Sequence, residues 1–576
     1  MAHSSGPDTH AGDLLAARLT RWATERADRR ALLFLEDGAT EAGALTFAQL
    51  HLAALSVAGA LQRLDAVGRP VLILSRSGLQ FAIAFFGCVY AGAIAVPCSS
   101  GPRKRGLERI LAIAANAHPA AALGDRQVAD LLDAVAGPGL PIVRIDQLDG
   151  VGLARPMPVT AEQPVLLQYT SGSTAAPKGV VITHANLSAN LEMITAFVGI
   201  HERSVYLTWL PLFHDMGLIG SLLHAMSCGI PCVLMPPQAF FLWPERWLSA
   251  IGRYGATITG GPNFAYEYCV RRHAQMDLSR IDLSGWEVAF CGGERVRAPT
   301  LRRFAELFEP AGFRAAALSP CYGLAEATLL VSGVARGGFH AACRQGIEVV
   351  SCGQSAPGVT LMVADPESGQ PLADGTTGEI WVAGQQVSAG YWNNPAASAD
   401  TFVRNRDGDR ETHFLRTGDL GWIRDGELYV SGRLKDLIVC RGANFHPEDI
   451  EATAAQAHPA LGGSSAAFSI EGGSEEQVVL VLELSRPVPD DLVPASVIAA
   501  VAKAVASEHT LHLFDVVLVR AGSIPRTTSG KVQRRRSREL YSEGRFITDA
   551  YAALRPLNSA QSSAGSSPEA RPHSTP

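Results

Sequence analysis

Residues 168–180 read QYTSGSTAAPKGV, directly after the apolar run Val165-Leu166-Leu167. Ser171, Ser173 and Thr174 offer hydroxyl donors. Gly172 and Gly179 let backbone amides approach an anion closely. Lys178 adds a compact positive charge. Hydroxyls, open backbone and a cation in one short loop are the chemistry of polyphosphate binding. The stretch is not a Walker loop, which needs GxxxxGK[ST] with the lysine directly after a glycine. Here Lys178 follows Pro177 and precedes Gly179. By spacing alone the loop also reads as a polar surface turn, because Ser, Gly and Pro favour turns.

The rest of the chain must position that loop. At 576 residues it exceeds a single core, so two or more domains are expected. A composition of 47% hydrophobic and 18% charged residues is that of a globular enzyme. The net charge of −6 gives no general pull toward nucleic acid or an anionic membrane. The ten cysteines are scattered, and the nearest pair, Cys228 and Cys232, has no second pair or histidine at metal spacing. They read as reduced thiols of a cytoplasmic protein. The start of the chain has no apolar core behind a basic head, so no secretory signal is expected. The longest apolar run, 81–97, falls short of the roughly 20 residues a membrane span needs and ends in proline. It reads as a buried helix followed by a strand.

Strand-like runs alternate with amphipathic helices. SVYLTWL, PCVLM, ATIT and WEVAFCGG read as strands. MGLIGSLLHAMSCG, RWLSAIGRYG and NFAYEYCVRRHAQM between them read as helices. This βαβ alternation predicts a mostly parallel sheet with helices on its faces. From about residue 350 short strands with tight turns take over, including the hairpin signal Asp425-Gly426. A smaller α+β unit follows, with helices over NFHPEDIEATAAQ and PASVIAAVAKAVASEH and strands over QVVLVLEL and DVVLVRAG. The expected organisation is a disordered start at 1–12, a large α/β domain of mixed and parallel sheets at 13–432 with its β-rich part from about 350, a hinge at 433–435, a small mobile α+β domain at 436–556 and a disordered tail at 557–576.

Five motifs then stand in one order: YTSGSTAAPKGVVITHANL (169–187), CYGLAEAT (321–328), RTGDLG (416–421), SGRLKDLIVCRG (431–442) and PRTTSGKVQR (525–534). Together they resemble the adenylate-forming superfamily of acyl-CoA synthetases, peptide-synthetase adenylation domains and luciferases, over nearly the whole chain. LPLFHDMGLIG (210–220), TGGPNFAYEYC (259–269), LSPCYGLAEATLLVSG (318–333) and RGANFHPEDIE (441–451) are most similar to its fatty acyl-AMP ligases.

The resemblance implies an activity and a set of roles. A medium- or long-chain fatty acid would be activated with ATP to acyl-AMP, releasing pyrophosphate, and passed to the phosphopantetheine thiol of an acyl carrier protein in a polyketide or lipopeptide pathway. Thr170, Ser171, Gly172, Ser173, Thr174 and Lys178 would hold the β- and γ-phosphates. Glu326, with Thr170, would hold Mg²⁺. Tyr322 would stack on adenine, in a pocket lined by the backbone around Gly292 and Gly293, and Gly323 would also bind the nucleotide. Asp419 would take the ribose hydroxyls, with Arg433 supporting the same region. His214 would stand at the mouth of the acyl tunnel. Lys531 would be catalytic, touching both the carboxylate and the α-phosphate, and Lys435 would be the hinge.

Each residue also has a plain reading: Tyr322 as core, Asp419 as a turn residue, His214 as structural, Lys531 as one more cation. The runs Arg534–Arg536 with Arg538, and 103–105, read as solvated faces, with contact to an acidic carrier protein as the alternative. No carrier-like serine motif is present, so loading in trans is expected. The sequence departs from the ligases after ATLLVSG, where ARGGFHAACRQGIE is shorter than the usual insertion. An acyl-CoA ligase, an enzyme for another carboxylic acid, and a nucleotide-binding docking pseudoenzyme remain alternatives.

Overall fold

Apolar runs bounded by glycine or proline form the strands, and the segments between them cover the sheet faces. The computed structural model describes residues 13–75, 78–99, 104–125, 139–148, 154–169, 177–335, 337–344, 347–407, 410–440, 443–472, 475–489, 491–527, 530–546 and 550–553. They fall into two compact units divided between Ser431 and Gly432.

The large unit holds two sheets. In the first, Ile142–Arg144, Ala121–Gly124, Pro70–Leu74, Ile94–Pro97 and Pro164–Tyr169 run parallel, and Gly179–Thr183 closes the edge antiparallel. The Ser/Thr-rich loop therefore joins two paired strands, with Tyr169 opposite Gly179. The run 81–97 divides into helix Gly78–Ala91 and strand Ile94–Pro97, as its apolarity and glycine break predict.

The second sheet has a parallel core of Arg30–Leu35, Cys232–Leu234, Tyr206–Thr208, Ile258–Gly261, Val288–Cys291 and Leu318–Gly323. The expected helices Pro244–Tyr254 and Asn263–Arg272 lie between its strands. The stretch from Met216 to Cys228 is helical as expected and ends at Gly229, and within it Leu218–Leu223 winds as a π-helix between Asp215–Gly217 and His224–Cys228. Such wide turns are frequent at functional sites. Past Leu318–Gly323 the sheet turns antiparallel through Leu330–Gly333, Ile347–Ser355 and Glu427–Arg433. Strands Arg410–Arg424 and Glu427–Arg433 are joined at Asp425 (φ 54°) and Gly426 (φ 78°), the left-handed pair that the Asp-Gly signal predicts.

The small unit has a four-stranded sheet in the order Leu461–Gly472, Glu475–Leu484, Asp515–Val519, Ala550–Ala553. Its central strand is apolar at every residue from 478 to 482 because both faces are covered. Leu480 and Leu482 pack with Ile450 and Val497 on one side, and Val479 and Val481 with Phe468 and Phe546 on the other. Arg534–Arg536 open helix Arg534–Ser542. Arg534 departs from the solvated reading: its side chain is only 15% exposed and sits among three carboxylates. Arg535 is 52% exposed, as expected. Arg103 lies outside the described residues, as do the side chains of Lys104 and Arg105.

All ten cysteines are free thiols. Among the described residues no helix is long and apolar enough to cross a membrane.

Candidate active site

The carboxyl ends of parallel strands are where open α/β sheets gather their ligands. Val288–Cys291 ends in Gly292-Gly293, and its neighbour Leu318–Gly323 ends in Tyr322-Gly323. A Cβ on Gly292 would stand 2.7 Å from the Cys321 carbonyl oxygen. Gly293 has φ +80°, and a Cβ there would stand 2.8 Å from Met216 Cε. That contact brings the His214 loop to the same edge. His214 precedes helix Asp215–Gly217, half-buried, with its ring 4.9 Å from that of Phe213. Gln168, two residues before the Ser/Thr-rich loop, donates from Nε2 to the Phe213 carbonyl at 2.9 Å. His214, Gly292, Gly293 and the strand that leads into the Ser/Thr-rich loop are thus linked through Met216 and the Phe213 carbonyl. Thr170, Ser171, Gly172, Ser173 and Thr174 themselves lie outside the described residues.

Tyr322 and Asp419 meet directly. The buried Tyr322 hydroxyl donates to Asp419 Oδ2 at 2.8 Å, and Asp419 is 6% exposed. Asp419 comes from strand Arg410–Arg424, so two distant motifs converge here. The loop before it is held from behind. Buried Glu379 accepts from Arg416 Nε at 3.0 Å, from Arg416 at 2.8 Å, and from the Gly418 amide at 3.1 Å. Sequence reading passed over Glu379, because nothing in GEIWVAG marks its acid as a partner of RTGD.

Glu326 stands on a strained turn. After the single turn Ala325–Ala327, Thr328 has φ 65° and ψ −60°, and the Leu329 amide donates to the Ala327 carbonyl at 2.7 Å. This is a γ-turn of the rare, strained kind, and a β-branched residue there costs about 1–3 kcal/mol. The turn is clamped on both sides. Gly323 leaves no room for a Cβ against the Leu329 carbonyl. Thr328 Oγ1 donates to the Gln386 carbonyl at 2.7 Å, and the Ser388 amide to the Glu326 carbonyl at 2.9 Å.

The segment that makes those last bonds continues to Lys178. The Val181 amide donates to the Gly390 carbonyl at 2.9 Å and the Trp392 amide to the Gly179 carbonyl at 2.7 Å. Tyr391, between them, is 9% exposed. Its hydroxyl donates to Glu326 Oε1 at 2.8 Å, and Lys178 Nζ lies 4.9 Å from its ring centroid. Burial, and then the adjoining Glu326 carboxylate, hold the Tyr391 hydroxyl well above the ordinary phenol range, so it stays a donor. Tyr391 was not legible in sequence, since its partners lie 65 and 213 positions upstream.

The remaining expected residues belong to the small unit. Arg433 is exposed at the end of strand Glu427–Arg433, and Lys435 is exposed in the turn Leu434–Asp436. Lys531 is half-buried, its amide donates to Thr527 Oγ1 at 3.0 Å and its carbonyl accepts from the Thr527 amide at 2.7 Å.

The donor set fits a nucleotide triphosphate with a divalent cation. Among the described residues no three His, Cys, Asp or Glu side chains gather as a metal cage. A lone carboxylate is how Mg²⁺ is usually held, with substrate phosphates completing its shell. Buried Gln386 and Ser388 leave side-chain polar atoms without partners in the segment that crosses the Glu326 turn. A groove of 610 Å³ beside helix Leu15–Glu25 contains none of these residues.

Glycine-lined strand ends, a buried Tyr–Asp pair and a Lys–Tyr–Glu group fit a nucleotide-dependent enzyme of the α/β class. The family model for AMP-binding enzymes matches residues 19–392, and that for the AMP domain of Disco-interacting protein 2-like proteins matches 435–550. Over 549 residues the chain is 38% identical to the medium-chain-fatty-acid–acyl-carrier-protein ligase JamA of Moorena producens, covering 90% of this chain and 93% of that protein. It is 36% identical to a 4-hydroxyphenylalkanoate adenylyltransferase of Mycobacterium tuberculosis, at 92% of each. The crystal structure of the fatty acid AMP ligase from Legionella pneumophila matches at a TM-score of 0.72 and 33% identity, over 95% of this chain and 98% of that one. The chain belongs to the AMP-binding enzymes and, within them, to the fatty acyl-AMP ligases of the adenylate-forming superfamily.

Proposed function

We propose that the protein activates a medium- or long-chain fatty acid with ATP, forming acyl-AMP and pyrophosphate, and passes the acyl group to the thiol of an acyl carrier protein in the cytoplasm. The observation that carries this reading is the convergence of Lys178 and Glu326 on Tyr391 beside the Tyr322–Asp419 pair. The likeness to an acyl-carrier-protein ligase over nine-tenths of the chain supports the acceptor.

A carboxylate is a poor electrophile, and its attack on the α-phosphorus brings two anions together. Positioned cations and donors therefore do most of the work. Lys178 and the hydroxyls of Thr170, Ser171, Ser173 and Thr174 hold the β- and γ-phosphates of the leaving pyrophosphate. Asp419 takes the ribose hydroxyls, and Tyr322, whose hydroxyl donates to the Asp419 carboxylate, stacks on adenine. Gly292, Gly293 and Gly323 give adenine a side-chain-free edge. His214 borders the acid, and Arg433 supports the nucleotide. Lys531 neutralises the carboxylate and the α-phosphate, and Lys435 is the hinge of the small unit. Glu326, with Thr170, would hold Mg²⁺, which when bound neutralises phosphate charge.

The test is acid-dependent exchange of labelled pyrophosphate into ATP over a panel of carboxylic acids. Exchange with fatty acids of medium or long chain is expected, and its absence for every acid would refute the reading. The likeness to the 4-hydroxyphenylalkanoate enzyme at nearly equal identity favours one second reading, an aryl-substituted alkanoic acid. The same panel decides between them.

A further inference from the structure

We propose that the buried carboxylate of Glu483 is a positioning residue for Lys531, fixing the segment that carries the lysine against the sheet of the small unit. Glu483 stands where its strand would otherwise be apolar. Along Glu475–Leu484, Val479 and Val481 face the cluster that holds Phe468 and Phe546, and the two-residue period of a strand puts Glu483 on that same face. It is 5% exposed. A carboxylate so placed is costly unless its oxygens are bonded. Both are. Oε1 accepts from the Ile524 amide at 2.8 Å and Oε2 from the Ser464 amide at 3.2 Å.

The neighbouring strand is shaped to receive it. Leu461 pairs with Leu484 and Ser465 with Leu482, so Gly462, Gly463 and Ser464 bulge opposite Glu483. A Cβ on Gly463 would collide with Glu483 Cβ. Bulges are enriched beside active sites, where they redirect a side chain or end the pairing. The bonds then run on toward Lys531. Ile524 is buried in the Val479 cluster and Val532 packs against it, so apolar anchors stand on both sides of the lysine. Arg526 pairs with Val532 as an antiparallel bridge, and the Gln533 amide donates to the Pro525 carbonyl at 2.9 Å. The Arg526 guanidinium donates to Ser464 Oγ and, at 3.2 Å, to the carbonyl of Gly530, the residue before Lys531. Glu483 thus holds Ile524 directly and reaches Gly530 through Ser464 and Arg526. A leucine would fill the same space without the cost of burying a carboxylate, but it would leave both amides without their acceptor. Such precision matters at a reacting centre, where a shift of about 1 Å can cost a hundred-fold in rate.

This inference rests on the reading of Lys531 given above, and its test separates the two by following both half-reactions in the full chain. Glu483→Gln keeps the shape but turns an NH₂ group toward one of the two backbone donors. Acyl-AMP formation should fall about ten-fold with the KM for ATP within about two-fold, because Lys531 is displaced rather than lost. Transfer from supplied acyl-AMP to a holo-carrier should stay within about two-fold, a split that general damage to the small unit would not produce. In a Lys531→Ala background the same change should lower the residual acyl-AMP formation by less than about two-fold, since nothing is left to position. Ser464→Ala releases Arg526 alone and should slow acyl-AMP formation about two- to three-fold, again sparing transfer. That milder variant decides the matter if Glu483→Gln does not fold. Natural acyl-AMP formation in the deciding variant, equal losses in both half-reactions, or an undiminished effect in the Lys531→Ala background overturns the positioning role alone. Natural acyl-AMP formation in Lys531→Ala overturns the catalytic reading of that lysine and this inference with it.

Discussion

Charged side chains meet opposite fates in the two units. In the large unit Lys178 lies on an aromatic ring, while Glu326 and Asp419 each accept a phenol hydroxyl. In the small unit Arg534 meets charges of opposite sign. It binds Glu451 through two nitrogens at 2.7 Å, Glu448 at 2.7 Å and Asp436 at 3.4 Å. Burial alone would lower its pKa, but the carboxylates of Glu451 and Glu448 more than offset that, so the guanidinium stays cationic. The same division runs inside the large unit, where the Arg416–Glu379 pair stands behind the Asp419 loop. Arg534 and Arg416 thus hold the fold through opposite charges, whereas the Lys178 ammonium is seated on a ring. Substitutions should therefore separate cleanly, with activity lost at one kind of site and stability at the other.

The largest effect is expected at Lys531. Lys531→Ala should cut acyl-AMP formation by about a hundred-fold or more, since on the proposed reading it removes a cation facing two reacting anions. Transfer from supplied acyl-AMP to a holo-carrier should be largely spared, and the urea midpoint should hold. Equal losses in both half-reactions would mean that Lys531 serves the structure or acts in transfer itself.

Arg534→Met should do the reverse. Removing one partner strands buried carboxylates, at a cost of roughly 3–5 kcal/mol, read as an early urea transition of the small unit with the KM for ATP unchanged. The pH dependence gives a sharper check. Burial holds the Glu451 carboxyl above its ordinary value, with Arg534 opposing. A folded-state pKa above the unfolded one means that the native chain binds more protons between the two values, so stability falls as pH rises through that window. Without Arg534 the shift widens, so the variant's deficit should grow from pH 5 to pH 8. A deficit independent of pH would show that Glu451 is not the stranded charge.

Lys178→Ala comes next. It should raise the KM for ATP about ten-fold and leave unfolding within about 0.5 kcal/mol of the natural chain, because its seat is a ring rather than a counter-charge. A destabilised large unit would break the distinction drawn above.

Much of this was legible in the sequence, for local reasons. The βαβ alternation, the helix–strand break within 81–97 and the turn at Asp425-Gly426 rest on periodicity and on glycine, which act over a few residues. What escaped depends on distance. Strand Leu461–Gly472 reads GGSSAAFSIEG after its first leucine, too small and polar to announce a strand, and forms because Glu475–Leu484 pairs along it. The π-helix at Leu218–Leu223 leaves no periodic trace in six residues. Arg534 looks like its neighbours in RRRSR, and only the arrival of Glu448 and Glu451 from another helix sets it apart. Tyr391 and Glu379 were invisible for the same reason. The motifs are local in sequence, whereas the residues that hold them are chosen by three-dimensional neighbours.

The smallest effect is expected where the chain is shorter than the ligases it resembles. The segment after Gly333 forms the antiparallel hairpin Ala341–Arg344 with Ile347–Ser355 and is fastened within the large unit. Arg302 pairs with Glu348 and His340 with Glu427. Arg344 lies 4.8 Å over the Trp422 ring and donates to the Gly375 carbonyl at 2.8 Å. Arg302 is 52% exposed, so its pair contributes only about 0.5 kcal/mol. The hairpin thus owes its place to several weak contacts, and it offers a partner less surface than a longer insertion would. Acceptor choice should still favour the carrier, because it also depends on the path the thiol takes. One incubation with ATP, Mg²⁺ and a fatty acid, given either CoA or holo-carrier, should yield acyl-carrier and little acyl-CoA. Arg302→Ala with Arg344→Ala should leave adenylation intact and raise CoA use by no more than a few-fold. Acyl-CoA forming as fast as acyl-carrier in the natural chain would make it a CoA ligase. A large gain of CoA use in the variant would show that the fastened hairpin, short as it is, is what excludes the smaller thiol.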